Sequence, residues 1–319
     1  MLFSLLKIPA RVALLFYCRH LDINKKELLQ YNGPLLIAAN HPNSFLDAVL
    51  IATLFDKPVY SLARGDVFSN NFYSKILSSL KILPVYRISE GTENLEHNYS
   101  TFDECKTLFK NNAIILIFSE GSCKNELHLR PLKKGTARLA ISSWQDDIPL
   151  KVLPVGINYN SFRSFGKVIK LNFGKMISSE DVGSNDSHGK SISSFNDKLQ
   201  IQLKQLVIEI DSNDKTSIKK EFAFKIPLFK KIVLFIPSLL GWLLHAPFYY
   251  PIKKIAWQRN THKDHFDSIL IGFLFVAYPF YLLLIALVVY LMVGSWWWLS
   301  VFIVLPFFAW SCIQLKEQQ

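Results

Sequence analysis

A histidine and an aspartate six positions apart, His41 and Asp47, stand where the apolar run Leu35 to Ala39 gives way to the polar stretch Asn40-His41-Pro42-Asn43-Ser44. A neutral imidazole held by a carboxylate can take a proton from a hydroxyl near neutral pH, so general-base catalysis is the chemistry open to this pair. Pro42 disfavours helical geometry at His41, which keeps the imidazole in a loop after a buried strand. A plainer reading competes, in which Ser44 and Asp47 form the capping box of the next helix and His41 only satisfies a turn.

Three other stretches carry residues suited to a polar ligand. Arg87 closes Ile82-Leu83-Pro84-Val85-Tyr86-Arg87 and can fork onto a phosphate or carboxylate. Glu120, Gly121 and Ser122 follow the run Ala113 to Phe118; the carboxylate can accept hydrogen bonds from a polyol, and glycine lets a ligand approach the backbone. Lys133 and Lys134 precede Gly135 at the entrance to a predicted helix, where amide groups and ammonium charge make an anion site. Each also has an ordinary reading: a surface arginine, a strand-to-turn exit, a solvated basic turn. All three lie at the carboxyl ends of predicted strands, where open α/β sheets collect ligand-binding residues.

The elements that must hold these residues alternate short apolar runs with longer amphipathic ones. Strands are predicted at 34–39, 58–62, 82–87, 113–118, 150–157 and 167–173, with helices at about 45–55, 68–80, 92–111 and 134–145. The fold class is α/β, a mixed sheet flanked by helices, in a domain over residues 30–225. Residues 178–196, rich in Ser, Asp, Asn and Gly, predict a surface loop, and Phe195 to Phe224 predicts an amphipathic helix that closes the domain.

Apolar sequence remains on both sides of that domain. In residues 1–29, Lys7 and Arg11 interrupt an apolar run on one helical face, which suits a helix lying in a membrane interface; Tyr17-Cys18-Arg19-His20 supplies no convincing signal-peptide cleavage site. In residues 226–319, Pro237, Gly241, His245 and Pro247 break the run 232–250 and predict a kinked, re-entrant or interfacial segment rather than a straight spanning helix. Ile269 to Val293 and Trp297 to Ile313 are uncharged and predict two spanning helices in a hairpin, with Trp296, Trp297 and Trp298 at an interface. Lys253, Lys254, Arg259, Lys263 and Lys316 flank the hairpin, so the positive-inside rule expects an integral cell-membrane protein with its α/β domain on the cytoplasmic side. A formal charge of +11, from 36 Lys and Arg against 25 Asp and Glu, asks for an anionic partner, and 50% hydrophobic residues favour a bilayer over nucleic acid. Cys18, Cys105, Cys123 and Cys312 have no ligand-like spacing, so neither a metal site nor a disulfide framework is expected.

Taken in order, the motifs resemble those of the phospholipid and glycerol acyltransferase family. Asn40-His41 through Asp47 resembles the first, Leu83-Pro84-Val85-Tyr86-Arg87 the second, Phe118-Ser119-Glu120-Gly121-Ser122 the third, and Leu153-Pro154-Val155-Gly156-Ile157 the fourth. The sequence departs from the family pattern in having five residues, not four, between His41 and Asp47. The third motif carries Ser119 for proline, Ser122 for threonine and Cys123 for arginine, so one candidate phosphate contact is lost, which Lys124 either replaces or does not. The five-residue spacing is similar to that of fungal acyltransferases acting on glycerol 3-phosphate or dihydroxyacetone phosphate. The resemblance implies a membrane-bound O-acyltransferase of phospholipid biosynthesis, 1-acylglycerol-3-phosphate acyltransferase-like, in which His41 is the base and Asp47 orients it. Arg87, Lys133 and Lys134 would hold the acceptor's phosphate, and Glu120, Gly121 and Ser122 would line its binding site. The acceptor is lysophosphatidic acid or glycerol 3-phosphate, and the co-substrate is acyl-CoA or acyl carrier protein thioester, with no cofactor and no metal. A hydrolase using the same pair on water, and a non-catalytic membrane scaffold, are the rival classes.

Overall fold

The computed structural model of the chain describes residues 2–86, 97–182, 188–259 and 263–316. Seven strands, β1 (Cys18–Ile23), β2 (Leu35–Ala39), β3 (Val59–Arg64), β4 (Ile82–Val85), β5 (Ile114–Phe118), β6 (Lys151–Tyr159) and β7 (Lys167–Phe173), form one sheet in the order β1-β7-β6-β2-β5-β3-β4. The five strands from β6 to β4 are mutually parallel, β7 turns antiparallel to β6, and β1 follows β7. Central β2 and β5 are apolar at every position because both of their faces are covered. Leu35, Ile37 and Ala39 face one core layer with α2 (Phe45–Leu54), and Leu36 and Ala38 face the other with α4 (His97–Lys110), α5 (Gly135–Gln145) and α6 (His188–Leu206), as the two-residue period requires. A short α3 (Asn71–Ser79) joins β3 to β4.

Three local expectations change. Residues 188–194 belong to α6 and not to a loop, because Ile192, Phe195, Leu199 and Leu203 place a continuous buried stripe against the sheet that outweighs the poor helix propensity of Gly189, Ser191, Ser193 and Ser194. That helix stops at Leu206, where the side-chain amides of Asn158 and Asn172 donate to the Leu206 carbonyl at 3.0 and 2.8 Å and Asn158 Oδ1 accepts the Ile208 amide. The run to Phe224 is therefore two helices, the second being α7 (Lys215–Glu221), capped by Asp214. Gly156 lies beside this junction, and a Cβ there would come within 2.3 Å of the Leu206 carbonyl oxygen. Strand β1 was not expected, since Cys18-Arg19-His20-Leu21-Asp22-Ile23 has neither an apolar run nor clean alternation and is ordered by pairing with β7.

The amino-terminal helix α1 (Leu2–Tyr17) uses its two cations inward. Lys7 Nζ donates to the carbonyls of Phe55 and Asp56 at 2.6 and 2.9 Å, and Arg11 Nε donates to that of Thr53 at 2.5 Å, neutralising the carboxyl end of α2. The opposite face shows Leu5, Ile8, Val12 and Leu15 to the outside.

The carboxyl-terminal region holds α8 (Leu228–Gln258), α9 (Phe266–Val293) and α10 (Val301–Leu315). Among the described residues, three helices, not two, are long and apolar enough to cross a membrane: Leu228–Gln258, Phe266–Val293 and Trp296–Leu315. Residues 232–250 do not form a hairpin: they lie within α8, which is continuous through Pro237, Pro247 and Pro251. Neighbouring helices pack closely on it: the Tyr281 hydroxyl donates to the Leu244 carbonyl at 2.6 Å, and Gly241 admits the α10 backbone so closely that a Cβ would lie 2.1 Å from the Phe308 oxygen. Both ends of the α9–α10 pair touch the α/β domain, through Asp267 on Lys167 and Lys316 on the Phe165 carbonyl.

Candidate active site

The loop that leaves β2 carries the site. Asn40 extends the ladder to β6 with its side chain, accepting from the Ile157 amide at 2.7 Å and donating to the Ile157 carbonyl at 3.1 Å, which fixes the backbone just before His41. Ser44 adopts a φ of +54° immediately before α2. This turn accommodates the long His41 to Asp47 spacing and delivers Asp47 in the first turn of the helix, facing back at the imidazole.

His41 Nδ1 lies 2.9 Å from Asp47 Oδ2, with Asp47 wholly buried and His41 16% exposed. Oδ2 also accepts the Asn43 amide at 2.8 Å, and Oδ1 accepts the Tyr159 hydroxyl at 2.8 Å. The carboxylate therefore selects the tautomer with its proton on Nδ1 and leaves Nε2 with the lone pair. The imidazole stacks on Phe118 with centroids 3.7 Å apart and planes within 8°, which fixes its rotation. The capping box does not form. The Ser44 hydroxyl meets His265 Nδ1 at 2.6 Å and makes no cap bond, and the Asp47 carboxylate serves the histidine.

Burial, and then the charge of Asp47, raises the Tyr159 phenol well above its usual range, so it remains a hydrogen-bond donor at neutral pH. Replacing Tyr159 by Phe should weaken the orientation of Asp47 by about 1.5–3 kcal/mol, the range for a bond to a charged group, and lower kcat more than it raises KM. Steady-state kinetics on the purified variant check this, and an unchanged kcat would remove Tyr159 from the site.

Glu120 differs from its expected role as a polyol acceptor. It is buried, and its oxygens take donors from the protein itself: the His41 amide at 3.0 Å, the Arg130 amide at 3.0 Å and the Arg130 guanidinium at 2.8 Å. Its carboxylate pins the His41 loop to the turn after β5. Ser122 is likewise engaged, accepting from Arg130 at its hydroxyl (2.7 Å) and its carbonyl. Arg130, which no motif marked, thus occupies the cationic place beside the third motif. Lys124 instead pairs with Glu126 at 2.9 Å. Gly121 has a φ of +71°, and a Cβ on it would lie 2.9 Å from Lys133 Cγ, so the lysine stem rests directly on the turn. The Lys133 amide donates to the Ser119 carbonyl at 2.7 Å, and Lys134 stands at the amino cap of α5. Arg87 lies outside the described residues.

The sheet also brings in residues that no local pattern could reveal. The Asn43 side-chain amide donates to the Tyr17 hydroxyl at 2.8 Å and to Asp267 Oδ2 at 3.3 Å, and Asp267 pairs with Lys167 at 2.6 Å with both side chains buried. The His41 loop is thereby tied to the first turn of α9. Cys123 accepts the Ser44 amide at 3.0 Å, and burial pushes its thiol up to about 12, which keeps it protonated and unsuited as a nucleophile at neutral pH.

Fold and site define an α/β domain that presents an oriented imidazole at the carboxyl edge of its parallel strands. Residues 20–158 match the model of the Acyltransferase family. No curated protein matches the chain significantly. Among solved structures, the crystal structure of the 1-acyl-sn-glycerophosphate (LPA) acyltransferase PlsC from Thermotoga maritima is similar at a TM-score of 0.41 and 15% identity, over 65% of this chain and 74% of that one.

Proposed function

We propose that this acyltransferase moves a fatty acyl group from a CoA or acyl carrier protein thioester to the free hydroxyl of 1-acylglycerol 3-phosphate, yielding phosphatidic acid. The observation that carries the reading is the His41–Asp47 pair, with Nε2 left for a hydroxyl. Nε2 takes the acceptor's proton as the acceptor oxygen attacks the thioester carbonyl. The tetrahedral intermediate then collapses, the carbon–sulfur bond breaks, and the imidazolium returns the proton to the departing thiolate. Asp47 stabilises the imidazolium between these two transfers. No covalent acyl-enzyme is required, since the hydroxyl reaches the carbonyl directly.

Lys133 and Lys134, beside the Gly121 turn, and Arg87 are the cations we assign to the acceptor's phosphate. An anion-binding site rejects neutral lysolipids because its cations would be left unpaired. A purified enzyme assayed for thioester cleavage with and without acceptor tests the reading. Cleavage that requires the acceptor supports transfer, and free fatty acid released at the same rate without it would make the protein a hydrolase. In competition at equal concentration in a bilayer, lysophosphatidic acid is expected to show a higher kcat/KM than glycerol 3-phosphate, because the apolar helices favour an acceptor that already resides in the membrane. A preference for glycerol 3-phosphate would assign the chain to the soluble acceptor.

The α9–α10 pair is read as a membrane hairpin with the domain on the cytoplasmic side, and α1 as a helix whose outward apolar face lies on the bilayer. The turn carries Trp296, 81% exposed, and no charge, whereas both ends of the pair touch the domain. A Trp296→Cys protein should label with a membrane-impermeant thiol reagent from outside intact cells, above the level of the unsubstituted protein. Labelling seen only after the cells are opened would put the turn on the cytoplasmic side.

A further inference from the structure

A cleft of about 1770 Å³ lies between α1 and the three carboxyl-terminal helices, away from the His41 loop: none of residues 40–47, 118–124 or 133–134 lines it. This exceeds the roughly 300–1,000 Å³ of ordinary small-molecule sites. Its walls are apolar and aromatic, with Val12 and Phe16 from α1, Phe235 and Trp242 from α8, Leu274 from α9 and Pro306 from α10.

The polar groups on its lining are one-sided. Among the described residues, five cations, Arg19, Lys219, Lys225, Lys231 and Lys316, border the cleft and no Asp or Glu does. They come from chain segments that meet: Arg19 donates to the Lys316 carbonyl and covers the Phe224 ring at 4.7 Å, and Lys230 reaches Gln314 at 2.7 Å, so the start of α8, the end of α10 and the exit of α1 converge. Among the described residues, Arg19 Nε is buried with no acceptor. A donor in that state calls for an oxygen that the protein does not supply.

We propose that this cleft binds one membrane phospholipid of net negative charge, its phosphate at the Arg19–Lys316 end and its acyl chains between α1 and α8–α10. Charge complementarity selects the anionic headgroup, and the size and apolar walls select a chain-bearing lipid over a soluble anion. The site is separate from the acyl-transfer centre and does not depend on the assignment of that centre. It does adjoin it, since Tyr17 lines the cleft while its hydroxyl accepts from Asn43.

The full-length protein, reconstituted in phosphatidylcholine vesicles, tests this through Trp242. The Trp242 signal is the difference in fluorescence quenching between the unsubstituted protein and Trp242→Phe. Phosphatidylglycerol with brominated chains should quench it at a mole fraction at least about fivefold lower than brominated phosphatidylcholine, given about 1 kcal/mol per basic residue near an anionic lipid. Lys219, Lys225 and Lys231 are exposed, so their joint replacement by Gln leaves the core intact and should reduce the preference for phosphatidylglycerol, with Arg19 and Lys316 keeping the remainder. Replacing Lys254 and Arg259, which do not line the cleft, should leave the preference in place. Equal quenching by the two lipids in the unsubstituted protein, a preference undiminished by the triple replacement, or one reduced equally in the Lys254 and Arg259 variant would each overturn the proposal.

Discussion

His41→Ala should lower kcat by about 10²–10⁴-fold while leaving the melting temperature close to that of the unsubstituted protein. The imidazole is partly exposed in a loop and stacks on Phe118, so its removal opens little core. Asp47→Asn should fall almost as far in rate but should also lose stability. The buried carboxylate accepts from His41, Asn43 and Tyr159 together, and a neutral amide presents only one acceptor oxygen to them. The two variants thus separate chemistry from architecture. Turnover near the original rate in a folded His41→Ala protein would end the general-base assignment and favour the scaffold class.

Asp267→Asn or Lys167→Met should each destabilise the protein by roughly 3–5 kcal/mol, because each leaves one buried charge without its partner. For a chain of this size that lowers the melting temperature by on the order of 10 °C. Burial already holds the Lys167 ammonium below its ordinary range, against the pull of Asp267. The double replacement Lys167→Met with Asp267→Leu should recover most of the loss, since apolar residues of similar volume need no partner. Because Asp267 also accepts from Asn43, the single Asp267 variant should slow catalysis at temperatures where it remains folded. Thermal unfolding and kinetics on the intact detergent-solubilised chain check both effects. A normal melting curve for Asp267→Asn would show that the pair does not hold α9 to the domain.

The site was legible in the sequence wherever it depends on neighbours along the chain. The apolar run of β2, the proline after His41 and the glycine after Glu120 are local signals of a strand end and a tight turn, and the structure puts those turns side by side, with the His41 amide on Glu120. Roles inside the turns were less legible. Glu120 reads as a ligand acceptor until Arg130, ten residues on, is seen to fold back onto it; a carboxylate's partner is chosen in three dimensions, and nothing in the local pattern marks Arg130. Likewise, Ser44 and Asp47 have the spacing of a capping box, but burial beside Tyr159 and His41 outbids the helix end for the carboxylate.

Composition and hydrophobic period determined an α/β domain with apolar helices attached, because burial of apolar surface is roughly additive along a chain and can be read from residue type. Edge strand β1, the close packing of α8 against α9 and α10, and the Tyr17–Asn43–Asp267–Lys167 cluster were decided only by tertiary structure. Each depends on groups from segments far apart in sequence: β7 for the strand, Tyr281 and the α10 backbone for the helix, four separate elements for the cluster. A polar side chain states what it can donate or accept, but only the folded chain determines which partner reaches it with water excluded.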